Sequence, residues 1–261
     1  MLINKYMTPQ VPLNIKRARF YSQNSKYAEA IAQYQKSIIQ PGDREEKIIA
    51  FNEEGMIYLD QGKFAEALTD FNKGLNVVQR LKKADSSAGI SNKKYHPNVS
   101  LEYLEAALYY HIGSVYMGMR RLDEALINFD KAIELSPTMV DAYQNKAVVF
   151  RLKGDYAASI KACEDTLAVD INFGKAYCSM GWAYGLMGDY KQEVQCQKEA
   201  IKRWPKFVFA YYRIGLAYEK LGEDRKAIEV FQEALRISPN YQDVREELKK
   251  LHTKRADKII K

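Results

Sequence analysis

The chain has 261 residues, 47% of them hydrophobic, which is enough apolar side chain for a packed core and excludes disorder throughout. Its three cysteines, Cys163, Cys178 and Cys196, match no disulfide framework and no zinc spacing, so reduced thiols are expected. The charge is +4 over residues 1–47, −3 over 48–173 and +6 over 174–261, giving the formal net +7; the basic ends admit an acidic partner, but nothing clusters like a nucleic-acid recognition helix.

Residues 1–10 read as a flexible leader. The opening stretch has no apolar run of signal-peptide length, and no later segment reaches the length of a membrane span. A cytoplasmic location is therefore expected, unless an export signal has been truncated. A helix–turn–helix pattern then begins at 11–44, with Ala18, Tyr21, Ala30 and Ser37 in its marked places, and recurs at 48–81 with Gly55, Tyr58, Ala67 and Gly74. Residues 82–105 break the phase. The second helix runs on to about Ala84, ADSSAGISN has a loop composition, and His96-Pro97-Asn98-Val99-Ser100 reads as a helix start.

Four further copies follow without a gap. Residues 106–139 carry Gly113, Tyr116, Ala125 and Ala132; 140–173 carry Ala147, Phe150, Ser159 and Thr166; 174–207 carry Gly181, Tyr184, Glu193 and Ala200. The clearest copy, 208–241, has Gly215, Tyr218, Ala227 and Ala234, with Tyr211 on the same face, Gly222 ending its first helix and Pro239 its second. Small residues at the crossing and aromatics beside them make most of the tyrosine content architectural. Glu193 alone breaks the pattern. A carboxylate on a core-facing stripe costs several kcal/mol unless it reaches water or a partner, so Glu193 is expected to be partly exposed or hydrogen-bonded and its unit locally less stable. Residues 242–261 form a capping helix and basic tail, with Val244, Leu248 and Leu251 on one face.

This small, aromatic, small pattern in a 34-residue phase resembles the tetratricopeptide repeat family over residues 11–241. The resemblance implies an all-α, right-handed α-solenoid of antiparallel helix pairs, with first helices lining a concave groove and the ends needing covers. The 82–105 junction is similar to the longer repeats of kinesin light chains.

The resemblance also implies which places face the groove. In 48–81 these hold Ile49, Asn52, Glu53 and Met56; in 106–139, Tyr110, His111, Ser114 and Met117; in 140–173, Gln144, Asn145, Val148 and Arg151. The last two units offer Lys175, Ser179 and Trp182, then Phe209, Tyr212, Arg213, Leu216 and Lys220. Exposed aromatics among amides and cations suit a recognition surface. Trp182 has an alternative, packing between neighbouring units as core.

The carboxylate clamp by which some family members hold chaperone tails is matched at only two of five places, Asn145 and Lys175, so clamp binding is not expected. No histidine pair has metal-ligand spacing, no phosphate-binding glycine loop appears, and no serine sits in a nucleophile elbow. The reading is a non-enzymatic scaffold for protein–protein interaction, with no cofactor or metal, holding a peptide or helical segment of a partner and aiding complex assembly. RNA or anionic-surface binding through the basic ends, and self-assembly, stand as alternatives.

Overall fold

The computed structural model describes residues 12–40, 44–87 and 100–260, with side chains to residue 254. The leader at 1–10 and half of the 82–105 junction, residues 88–99 with His96 among them, lie outside the described residues. Thirteen α-helices and no strand occur among them, in two compact units, 1–142 and 143–261.

The first unit contains α1 (Leu13–Gln23), α2 (Tyr27–Ile39), α3 (Arg44–Asp60), α4 (Phe64–Ser87), α5 (Leu101–Gly118) and α6 (Leu122–Leu135), and it ends just inside α7 (Val140–Lys153). The second holds the rest of α7, then α8 (Tyr156–Val169), α9 (Gly174–Leu186), α10 (Tyr190–Arg203), α11 (Val208–Lys220), α12 (Asp224–Ile237) and α13 (Gln242–Ile260). Helices adjacent in the chain pack on each other: α1 on α2, α3 on α4, α5 on α6, α9 on α10 and α11 on α12.

What lets two helices cross closely is a missing side chain facing a ring. A Cβ on Gly55 would stand 2.6 Å from Phe71, one on Gly113 2.7 Å from Phe129, and one on Gly215 2.2 Å from Phe231. Each ring lies sixteen residues after its glycine and is completely buried. Where alanine replaces the glycine, at Ala18 and Ala147, the residue sixteen places on is Tyr34 or Cys163, packed in the same cluster. The fifth pair is different. Gly181 faces Gln197, whose amide Nε2 donates to the Cys178 carbonyl at 3.0 Å.

Local chemistry starts and stops these helices as backbone hydrogen bonding requires. Ser100 caps α5 by accepting from the Tyr103 N–H, Asp155 caps α8 and Asp189 caps α10. The long α4 runs three residues beyond Ala84. Glycine provides the left-handed residue of the turn at 62, 154, 188 and 222, while Ser25 and Arg120 adopt it at φ 58° and 61°. At the carboxyl end, Val244, Leu248 and Leu251 of α13 close over Ala227, Ile228 and Phe231. This gives the last helix pair an apolar cover.

Candidate functional site

In the first unit, the expected residues fall into two groups. Asn52 is half-buried on α3, with its Nδ2 3.8 Å from the Met56 sulfur, and Met56 is 39% exposed. They border a hollow of about 290 Å³ with Arg19, Tyr34 and Glu53; Arg19 is ion-paired with Glu53, to which the Tyr34 hydroxyl also donates at 2.7 Å. Tyr110, His111 and Met117 are half-buried on α5. His111 stacks on the core ring of Phe71 at 5.5 Å and meets Tyr110 edge-on at 5.0 Å. Burial drives its pKa down to about 4, so it is a neutral ring within the packing at pH 7.

α3 also carries a buried carboxyl that the groove pattern does not include. Glu54 is 4% exposed and accepts from Gln35 Nε2 at 3.1 Å. Burial, reinforced by the Asp70 charge, raises it to about 7; Lys73, paired with Asp70 at 3.0 Å, opposes that rise. The folded chain thus holds this proton to about pH 7, whereas the unfolded chain releases it at about 4.3. Stability from this group is complete below the unfolded value and is lost as pH rises through about 7. Glu54→Gln, permanently neutral, is expected to raise the melting temperature at pH 8 and to change it little at pH 4. Equal effects at the two pH values would refute this.

In the second unit, the expected residues form a connected row. On α7, Gln144 is buried and donates through Nε2 to Ser179 Oγ at 2.7 Å, tying α7 to α9; Asn145 beside it is half-buried. Arg151, near the end of α7, lays its guanidinium on the Trp182 ring of α9, with Cζ 3.9 Å from the centroid. Arg213 of α11 approaches the same ring at 5.3 Å. The tryptophan itself is half-buried, tilted against Phe209 at 5.5 Å. Ring contacts continue from Phe209 to Tyr212 at 6.4 Å and from Tyr212 to Tyr241 at 5.6 Å. Lys175 and Lys220 are exposed. Trp182 thus packs against Phe209 of α11 while keeping part of its surface in solvent.

Glu193 explains how Arg213 is held there. It is 1% exposed, so of the two outcomes expected from the sequence, exposure or a bonding partner, the second holds: it forms an ion pair with Arg213. Burial raises the Glu193 pKa, while the arginine charge works against that rise. The pair reaches across because α9 has no side chain at 185. A Cβ on Gly185 would lie 2.1 Å from Glu193 Oε2 and 2.8 Å from Arg213 Nη2. Sequence reasoning noticed both charged residues but assigned the glycines to turns and crossings, and so missed this opening. A carboxylate in a core slot, with a glycine eight residues before it and an arginine in the next first helix, is the signal that could have found it.

Arg151 has no comparable partner. Its Nε is buried without a hydrogen-bond acceptor, and no ion pair is formed by it among the described residues. Desolvation lowers its pKa, and the neighbouring Arg213 charge lowers it further. Among the described residues, no group of three or more His, Cys, Asp and Glu is placed to hold a metal ion, and no helix is long and apolar enough to cross a membrane.

Paired antiparallel helices with small residues at their crossings define an all-α protein of the α-solenoid class. Family models of the tetratricopeptide repeat match residues 208–241 and residues 49–77, 106–139 and 174–207, and the chain belongs to that family. No curated protein sequence matches it. Among solved structures it is similar to PilW, a type IV pilus biogenesis factor, with TM-score 0.72 and 17% identity over 93% of this chain and 100% of that one. It is similar to the Cut9–Hcn1 hetero-tetramer of the APC/C, with TM-score 0.67 and 15% identity over 91% of this chain and 42% of the other. YrrB, a repeat protein with an unusual peptide-binding site, gives TM-score 0.54 and 19% identity over 83% of this chain and 97% of its own. At these identities the likeness is one of fold.

Proposed function

We propose that this chain is a non-enzymatic interaction scaffold that holds a peptide or helical segment of a partner protein along the first helices of its repeats and so aids assembly of a complex. The observation that carries this reading is Trp182, a large ring left partly in solvent beside two guanidinium groups and at the head of an aromatic row through Phe209, Tyr212 and Tyr241. Apolar area of this kind beside two cations offers anchors for side chains, and the half-buried amide of Asn145 on α7 is the group expected to bond a peptide backbone. Of the proteins sharing the fold, YrrB is described by a peptide-binding site and Cut9 by its assembly with Hcn1, and the reading extends that kind of role to this chain.

The test compares wild-type protein with the Trp182→Ala, Asn145→Ala double variant in affinity capture from native cell extract. The variant is expected to lose the partners that the wild type retains, with its circular dichroism spectrum unchanged. Identical capture by both proteins would end the proposal.

A further inference from the structure

Charge balance around Trp182 is incomplete. Arg151 and Arg213 both face one indole ring, at 3.9 Å and 5.3 Å, and the only carboxylate paired with either among the described residues is Glu193, which belongs to Arg213. Two cations thus share one anion in a half-buried place, where each raises the cost of keeping the other charged. Within the protein, that cost is met for Arg213 by a carboxylate brought through the opening at Gly185. For Arg151 it is not met: it forms no ion pair among the described residues, and its Nε, like that of Arg213, is buried without an acceptor. The Arg151 guanidinium lies over the Trp182 ring, a contact that leaves its N–H donors for an anion. Its N–H donors lie in the plane, arranged as a fork that matches the two oxygens of a carboxylate.

We propose that Arg151, held over the Trp182 ring beside the Glu193-anchored Arg213, is the receptor for a second carboxylate, supplied by an acidic segment of the partner. The inference rests on the peptide-binding reading above and names the chemistry that the segment must carry. It does not use the clamp places, since Arg151 and Trp182 lie at neither Asn145 nor Lys175. Arg213 serves as a positioning residue and second positive charge, while Arg151 is the group expected to touch the ligand. Trp182 gives the site its rigidity and an apolar floor for the side chain that carries the acid.

The chain has only two tryptophans, and Trp204, which stacks on Phe207 at 4.5 Å, serves as an internal control. The experiment follows the two indole N–H resonances of 15N-labelled full-length protein during titration with the probe peptide acetyl-Glu-Leu-Glu-Leu-amide. Parallel titrations use acetyl-Gln-Leu-Gln-Leu-amide, the same glutamine peptide with a free carboxyl terminus, and inorganic phosphate. A saturable shift of the Trp182 signal with the glutamate peptide, a fixed Trp204 signal, and no shift with the glutamine amide are expected. Arg151→Gln should weaken the glutamate peptide at least about tenfold, the loss of a charge-assisted hydrogen-bonded pair. Arg151→Lys, which keeps the charge but lacks the planar fork, should fall between the two and guards against a folding defect in the glutamine variant. Tight binding of the free-terminus peptide would identify a chain end as a source of the same carboxylate.

Equal binding of the two amidated peptides, unchanged binding by Arg151→Gln, phosphate binding as tightly as the glutamate peptide, or no shift with any peptide would each overturn the proposal. The two readings fail differently. Neutral peptides that bind and are lost in Trp182→Ala would remove the carboxylate while keeping the scaffold; unaltered capture by the Trp182, Asn145 double variant would remove the scaffold itself.

Discussion

Phe231→Ala is expected to destabilise the second compact unit by about 3–5 kcal/mol, the usual cost of emptying a buried aromatic site. The ring is fully buried at the centre of a cluster with Ile228, Ala234, Val244 and Leu251, so both the α11–α12 pair and the covering helix α13 lose packing together. Both tryptophans, Trp182 and Trp204, lie in this unit, and the loss can be read as a lowered urea midpoint in tryptophan fluorescence. A change below about 1 kcal/mol would show that neighbouring side chains collapse into the space. The reciprocal variant makes the same contact from the other side. Gly215→Ala places a methyl group 2.2 Å from Phe231 Cε1 and should cost about 1–3 kcal/mol through overpacking. Leucine lacks the Cε1 and Cζ atoms that a Cβ at 215 would meet. Combining Gly215→Ala with Phe231→Leu should therefore cost less than the sum of the two single changes, with the difference measuring the direct contact.

That contact marks how far the fold was legible in the sequence. Small residues such as Gly113 and Gly215 recur because two backbones meet there, and recurrence in a fixed phase is visible without coordinates. The ring each one accommodates is harder to see, because aromatics at helical spacing abound and nothing in a list of them singles out Phe71, Phe129 and Phe231. His111 shows the same limit at the site. Its place in the repeat points to the groove, but a turn of the side chain lays it on Phe71, and burial then keeps it neutral. Trp182 was legible as a large ring on the relevant helix face, whereas its two guanidinium neighbours come from different repeats, 31 residues away on either side. Periodicity reports which face a residue occupies. It carries no information on which long, flexible side chains from adjacent repeats converge above that face.

Glu193 is where local and long-range logic separate most, and Glu193→Ala is expected to cost the second unit about 3–5 kcal/mol. The argument depends on what remains after the change. With Glu193 present, burial already raises its pKa against the pull of Arg213, so the pair itself adds little net stability. With it gone, Arg213 keeps a positive charge, a side chain only 16% exposed and an Nε without a partner. The cost is that of a stranded charge, so Glu193→Ala combined with Arg213→Met should be more stable than Glu193→Ala alone. Gly185→Ala, whose methyl would lie 2.1 Å from Glu193 Oε2, should weaken the unit by the same route, and its effect should largely vanish in the Glu193→Ala background. Urea unfolding of these variants decides the matter, and a Glu193→Ala protein within 1 kcal/mol of wild type would refute it. Amide exchange adds a test in the unaltered chain. Where α12 packs Phe231, α10 has Glu193 and Gln197, both buried, so amides of α10 should exchange faster than those of α12. Equal protection would mean that polar partners stabilise the fifth helix pair as well as an aromatic ring does the sixth. Faster exchange would tie the weakest packing in the unit to the carboxylate that holds Arg213 beside Trp182, a cost of the kind expected where a site is built into a core.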